Sequence, residues 1–214
     1  MGAGAVSARW LVAKRALDIF GAAVLLVLTS PVLLLIAIAI KLRYPGVPVV
    51  FGQWVVGKGG VPFRMWKFST MIPDAHLVLD QLMENDEALS REWKANFKLK
   101  DDPRVLPGVG TLLRRTSLNE LPQLFNVLAG EMALVGPRPV LQRELVQYYG
   151  PVAQLYKQVR PGITGLWQVS GRSNTTYGER VAYDEQYIRT WSLWRDIVIL
   201  FRTVKVVCSG EGAY

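Results

Sequence analysis

The hydrophobic pattern is dominated by one stretch near the N-terminus, Ala16 to Ile40, which reads ALDIFGAAVLLVLTSPVLLLIAIAI and is interrupted at Ser30-Pro31. Lys14 and Arg15 precede it, and Lys41 and Arg43 follow it. As a straight helix it would run about 37 Å, enough for a hydrocarbon core of about 30 Å. Two features argue against a plain span. A proline inside a helix removes a backbone bond and bends the axis, and the freed carbonyl needs a partner, which the Ser30 hydroxyl could supply. Flanking Lys and Arg mark the cytoplasmic side, and here both flanks are basic. A helix that enters, turns at Ser30-Pro31 and returns to the same face satisfies both observations. It is the preferred reading over a span or a buried helix of a soluble protein.

Beyond this stretch the period changes. Tyr44-Pro45-Gly46-Val47-Pro48 is a turn cluster. The runs 49–56 and 61–68, rich in aromatic and β-branched residues around Gly57-Lys58-Gly59-Gly60, predict a β-hairpin. Residues 74–98 show helical periodicity and mixed charge, which predicts an exposed helical pair around Asn85-Asp86. Lys100 to Arg104 reads as a charged turn, and a short helix from Gln123 to Leu128 ends at Gly130. Gly136-Pro137-Arg138-Pro139 precedes a helix through Tyr149, and glycine-punctuated loops cover 160–173. The tail sets Tyr183, Tyr187, Trp191 and Trp194 among Arg189, Arg195, Arg202 and Lys205. That pattern suits an interfacial helix or an ordinary amphipathic core helix equally. Internal repeats are absent.

Composition narrows the class. The chain has 214 residues, half of them hydrophobic, and a net charge of +8. One membrane-inserted helix with a polar body fits these values, and the charge suggests an anionic partner: lipid headgroups, nucleotides or phosphosugars. A nucleic-acid partner would rest on charge alone, without any nucleic-acid motif. The single cysteine, Cys208, excludes an internal disulfide, and the single histidine, His76, excludes a histidine-based metal cluster. His76 alone also leaves no Ser/His/Asp set, and the glycine loops match neither a Walker loop nor a dinucleotide fingerprint.

Two candidate sites remain open at this level. Arg138 stands between two prolines whose fixed φ lowers the entropy cost of presenting a guanidinium to phosphate, although a rigid turn with a solvated arginine has the same pattern. Arg104, Arg114, Arg115, Arg160 and Arg172 lie in similar loop or helix-start settings. Ser117-Leu118-Asn119-Glu120 has the form of a capping box, in which Glu120 would return a bond to the Ser117 amide.

Taken together the motifs resemble the bacterial sugar transferases, the monotopic phosphoglycosyl transferases acting on polyprenyl phosphate, and within them the catalytic part of the undecaprenyl-phosphate galactose phosphotransferases. The resemblance runs from about Lys14 to Tyr214. It is carried by Lys14-Arg15-x-x-Asp18, Ser30-Pro31, Gly46-x-Pro48-Val49-x-Phe51, Lys67-Phe68 and Asp102-Pro103-Arg104-Val105. It continues through Thr116-Ser117-Leu118-x-Glu120-Leu121-Pro122-Gln123, Gly136-Pro137-Arg138-Pro139, the segment from Pro161 to Arg172, and Gly212-Ala213-Tyr214.

The resemblance implies an α+β fold, mainly α: a re-entrant helix-break-helix hinged at Ser30 and Pro31 within residues 1–43, and a membrane-associated catalytic-type domain over residues 44–214. That domain would carry a β-hairpin and amphipathic interfacial helices on the cytoplasmic face of the bacterial inner membrane. It implies transfer of hexose-1-phosphate from UDP-hexose to undecaprenyl phosphate with release of UMP and a need for Mg²⁺, initiating cell-surface polysaccharide such as exopolysaccharide or O-antigen. Membrane lipid would be a partner, and a homo-oligomer stays open. Lys67, Arg104, Arg114, Pro137, Arg138 and Arg172 would bind substrate. In the family an adjacent Asp-Glu pair does the chemistry, the aspartate attacking the β-phosphate and the lipid phosphate then attacking the adduct. Here Glu120 keeps its place, but Asn119 stands where the aspartate would be; this pair is also the expected metal position. Val55 and Ser69 stand where the family has arginines. A carboxamide has no anionic oxygen to attack phosphorus, so the same scaffold also predicts a catalytically impaired, membrane-anchored binding or scaffold protein.

Overall fold

The computed structural model describes residues 8–96, 99, 101–171 and 175–209. The apolar stretch forms one helix, α1 (Ala8–Arg43), which begins well before the expected run. At 1.5 Å per residue it is about 54 Å long. The expected break into two segments is corrected here: the helix continues through Ser30 and Pro31. Its continuity has a local cause. Pro31 offers no N–H to the Val27 carbonyl, and the Ser30 hydroxyl donates to that carbonyl at 2.8 Å. The Thr29 hydroxyl likewise donates to Leu25 O at 2.7 Å.

The body packs against both ends of α1. Ala22 joins a core cluster with Val55, Phe63, Met65, Leu124 and Val127, while Ile36 and Ile40 join another with Phe68, Leu106 and Leu113. Between these contacts Val27, Leu28, Leu34 and Leu35 are exposed. The N-terminal end is fastened by polar contacts as well. Lys14 pairs with Asp18, one turn on, at 3.7 Å, but its shorter contact is to Asp196 at 2.8 Å. The fully buried Asp196 also accepts from the Tyr187 hydroxyl and the Trp191 indole N–H.

The hairpin forms as the pattern predicts. β1 (Val50–Val56) and β2 (Pro62–Phe68) are antiparallel, with Val50 opposite Phe68 and Val56 opposite Pro62. Gly59 and Gly60 take φ of 74° and 79° in the turn, conformations that glycine reaches without a steric penalty. The helical pair is α2 (Ala75–Asn85) and α3 (Glu87–Asn96), separated by Asp86, whose side chain accepts from the Ala88 and Leu89 amides. α4 (Val109–Arg115) leads through a single turn at Leu118–Glu120 into α5 (Gln123–Ala129), which ends at Gly130.

The glycine loops hide a feature their sequence does not announce. β3 (Ala133–Val135) and β4 (Gly162–Thr164) pair in parallel across α6 (Gln142–Tyr148) and α7 (Val152–Tyr156). α8 (Leu166–Ser170), α9 (Tyr177–Arg189) and α10 (Leu193–Ser209) complete the chain. The two readings of the tail divide between faces: Tyr187 and Ile199 are core residues, whereas Trp194 and Phe201 are more than 70% exposed. The whole is mainly α with a small β component.

Candidate active site at the end of the hairpin

Lys67 lies near the end of β2, and the Leu118–Glu120 turn packs beside that strand. The chain reaches this turn through Ser117, which takes a left-handed φ of 59°. The capping-box expectation is thereby corrected: the Ser117 hydroxyl caps nothing, and the Glu120 carboxylate turns elsewhere. Glu120 Oε1 accepts from Lys67 Nζ at 2.9 Å and from Asn119 Nδ2 at 3.1 Å, while Oε2 accepts from Gln123 Nε2. The acid is thus an acceptor for one cation and two amides.

Around this carboxylate the basic residues separate into two kinds. Arg114 donates to the Thr70 hydroxyl at 3.1 Å; burial and the nearby Arg104 lower its proton affinity, while Asp102 and Glu120 oppose them. Arg104, expected to bind phosphate, is gripped in bidentate fashion by Asp102 at 2.7 and 2.6 Å, is 4% exposed, and stacks on Trp93. Its guanidinium is already committed. Burial pushes the Asp102 carboxyl up, but the hydrogen bonds from Arg104 outweigh burial and hold it below its ordinary value.

The three departures from the family pattern are not equivalent in space. Asn119 touches the acid. Ser69 follows β2, with a buried hydroxyl that has no hydrogen-bond partner among the described residues. Val55 is buried in the apolar cluster of Phe63, Met65 and Leu124, away from these polar contacts. Gln123, Thr70 and Asp102 were missed as site residues; only the spacing of Gln123, three positions after Glu120, signals its contact.

An apolar groove of about 510 Å³ lies between α1 and the hairpin. Its walls are Leu33, Leu34 and Ala37 of α1, Val49 and Val50, Trp66 and Phe68 of β2, and Pro122 and Phe125. Side chains alternate along a strand, so Trp66 and Phe68 face the groove while Lys67, between them, turns to the opposite face of β2, where it meets Glu120.

Arg138 belongs to a different constellation. Its backbone N–H donates to Asp184 Oδ1 at 3.2 Å and its carbonyl accepts from the Tyr156 hydroxyl at 3.1 Å. Its guanidinium, like that of Arg180, stacks on Trp167. Pro137 contributes its carbonyl, which accepts from the Gly162 amide at 2.8 Å. No ion pair or hydrogen bond joins Arg138 to Glu120 among the described residues. Arg172 lies outside the described residues.

No group of three or more His, Cys, Asp or Glu suited to a metal ion occurs among the described residues. Glu120 with the amide oxygens of Asn119 and Gln123 is a donor set that fits Mg²⁺ only with substrate phosphates completing the shell, a common arrangement for that ion.

Comparison with known proteins gives the site its context. The sequence profile of the bacterial sugar transferase family matches residues 9–210. Undecaprenyl-phosphate galactose phosphotransferase of Salmonella typhimurium is 46% identical over 97% of this chain and 42% of its own length. Exopolysaccharide production protein ExoY of Rhizobium meliloti is 44% identical over 99% of this chain and 92% of its own length. UDP-glucose:undecaprenyl-phosphate glucose-1-phosphate transferase of Escherichia coli is 44% identical over 94% of this chain and 41% of its own length. The chain thus spans about two fifths of the longer relatives and nearly all of ExoY.

Proposed function

The chain belongs to the bacterial sugar transferase family, and from that premise we propose that it transfers hexose-1-phosphate from UDP-hexose to undecaprenyl phosphate, yielding undecaprenyl-diphosphate-hexose and UMP. The observation that carries this reading is the division of β2 between the Lys67–Glu120 pair on one face and the apolar groove on the other. A polyprenyl phosphate has that same division, an apolar chain ending in an anion. Lys67, Arg114 and Arg138 offset phosphate charge, and Pro137 holds the Arg138 loop against β4. Glu120 would hold Mg²⁺, which would supply charge neutralisation to the phosphates when bound.

Placement of both ends on one face of the membrane is supported by how α1 meets the body, and the basic flanks of the helix favour the cytoplasmic face. Asp18 and Ile40 are both buried against it, yet 22 helical residues separate them by about 33 Å, a full hydrocarbon thickness. One globular body cannot cover both ends of a helix that crosses the bilayer. We therefore read α1 as re-entrant, bending at Ser30 and Pro31 within the lipid, with the exposed face of α10 lying in the headgroup layer.

Asn119 favours a second reading, a membrane-anchored binding or scaffold protein of polysaccharide assembly. Its Nδ2–H is spent on Glu120, and its amide oxygen is a poor phosphoryl acceptor. With this residue, transfer requires in-line attack of the lipid phosphate oxygen on the β-phosphorus. One P–O bond forms, the bond to UMP breaks, and its electron pair leaves with UMP. Radiolabelled transfer from UDP-hexose to undecaprenyl phosphate, compared for this chain and Asn119→Asp, separates the readings. Transfer by both supports the direct route. Transfer by Asn119→Asp alone assigns this chain to the second reading, and transfer by neither, from folded and lipid-inserted protein, overturns the transferase scaffold.

A further inference from the structure

Close backbone packing sets Trp167 beneath two cations. A Cβ on Gly162 would lie 2.1 Å from Gly136 N, and one on Gly165 would lie 2.1 Å from Gly136 O. Those glycines let the loop leading into α8 pack directly on the strand-end that leads to Arg138. The guanidinium carbons of Arg138 and Arg180 then sit 5.0 and 4.4 Å from the Trp167 ring centroid, and Arg180 also lies 4.6 Å from that of Tyr177. Two like charges are thereby held within a Debye length of each other, about 10 Å at 0.1 M salt.

The chain gives other arginines an acceptor. Arg104 has Asp102, Arg189 has Glu185, and Arg160 donates to the Gly130 carbonyl. Arg138 and Arg180 form no ion pair with any described residue, and Arg180 Nε is buried without a hydrogen-bond partner. Burial foremost, then the Arg138 charge, works against the protonated form of Arg180. The arrangement persists because the Arg138 peptide is pinned from both sides, by Asp184 and by the Tyr156 hydroxyl, with Asp184 itself held by the Tyr149 hydroxyl at 2.7 Å. Asp184 acts on both guanidiniums and Glu144 on Arg180 through their charges, but neither closes an ion pair with them. A rigid, partly open pair of guanidiniums without a direct ion-pair partner is complementary to a divalent oxyanion, and the planar forks favour phosphate.

We propose that Arg180, together with Arg138 on the Trp167 ring, forms a two-cation site for a phosphate ester, making Arg180 a substrate-binding residue. The identity of that phosphate rests on the transferase reading: it belongs either to the nucleotide diphosphate or to the polyprenyl phosphate.

The test uses the full chain in lipid nanodiscs. UDP is titrated calorimetrically in one arm, and binding of undecaprenyl phosphate is measured against phosphatidylglycerol discs in the other. Arg180→Gln is expected to weaken one ligand about tenfold, the scale of one charge-assisted hydrogen bond, with Arg180→Lys recovering part of the loss. A loss in the UDP arm assigns the nucleotide, and a loss in the lipid arm assigns the carrier. Unchanged affinity in both arms overturns the proposal while leaving the transferase reading intact; failure of the unaltered protein to bind either ligand overturns that reading first. Should Arg180→Gln fail to fold, phenylglyoxal labelling of the unaltered protein decides. Protection of Arg180 by either ligand is expected, and its absence from both contradicts the site.

Discussion

Glu120 accepts from one ammonium and two amides, and its neighbours differ in what their loss would do. The side chains of Lys67 and Glu120 are 22% and 33% exposed, so their pair contributes little to stability, under about 1 kcal/mol. Lys67→Met should therefore leave the thermal midpoint nearly unchanged while lowering transfer at least tenfold in the Asn119→Asp background, measured as kcat/KM with UDP-hexose. Asp184 is the opposite case. Burial pushes its carboxyl up to about 7, against hydrogen bonds from Tyr149 and the Arg138 amide and the charges of Arg138 and Arg180, which favour ionisation. Because the folded state holds this proton more tightly than the unfolded chain, stability is full below about pH 4 and falls as pH rises through about 7. Asp184→Asn should remove that part of the slope between about pH 4 and 7 in denaturant titrations; an unchanged slope would show that Asp184 is not its source.

At the scale of elements, the membrane helix and its anchors carry the account. Asp196 is fully buried and binds Lys14, Tyr187 and Trp191, linking α1, α9 and α10. Asp196→Ala leaves Lys14 with the Val135 carbonyl at 3.0 Å and its longer contact to Asp18, and should cost about 3 kcal/mol, read as a lowered unfolding midpoint. Pro31→Ala restores the missing backbone donor and should straighten α1. Cysteines placed at Arg9 and Arg43, in a Cys208→Ser background, then report topology through a membrane-impermeant maleimide. Both sites should react on one face in the parent, and on opposite faces after Pro31→Ala; opposite-face labelling in the parent contradicts the re-entrant reading. These elements were unequally legible in the sequence. The hairpin and the α2–α3 pair announced themselves, through a glycine turn between β-branched runs and through Asp86 between two helical periods. The β3–β4 pair did not, because three-residue strands have no measurable period and their register is set by close contact of Gly136 with Gly162. The continuity of α1 was masked by Pro31, whose freed Val27 carbonyl is taken up by the Ser30 hydroxyl, so that the helix need not break where it bends.

At the scale of the molecule, the motifs that carry the family gather in two separate constellations, one around Glu120 and one around Trp167. Sequence order located Glu120, Arg114 and Arg138, but it did not tell that Arg104 is committed to Asp102 or that Arg138 keeps company with Arg180. Those are facts of the third dimension: a bidentate pair closed within a tight turn, and a tryptophan brought in by glycine packing. Nor did it tell that Val55 enters the core while Asn119 touches Glu120 and Ser69 buries its hydroxyl after β2. Of these, Asn119 alone touches the acid, so the central claim is that this scaffold handles phosphosugars and that its covalent step waits on a carboxylate at position 119. Intact-protein mass after incubation with UDP-hexose tests this most directly. The account predicts a phosphohexosyl adduct on Asn119→Asp, where the new carboxylate attacks the β-phosphorus and UMP departs, and none on the chain as it stands. An adduct on the unaltered chain, or none on an Asn119→Asp protein that binds UDP-hexose, would contradict it.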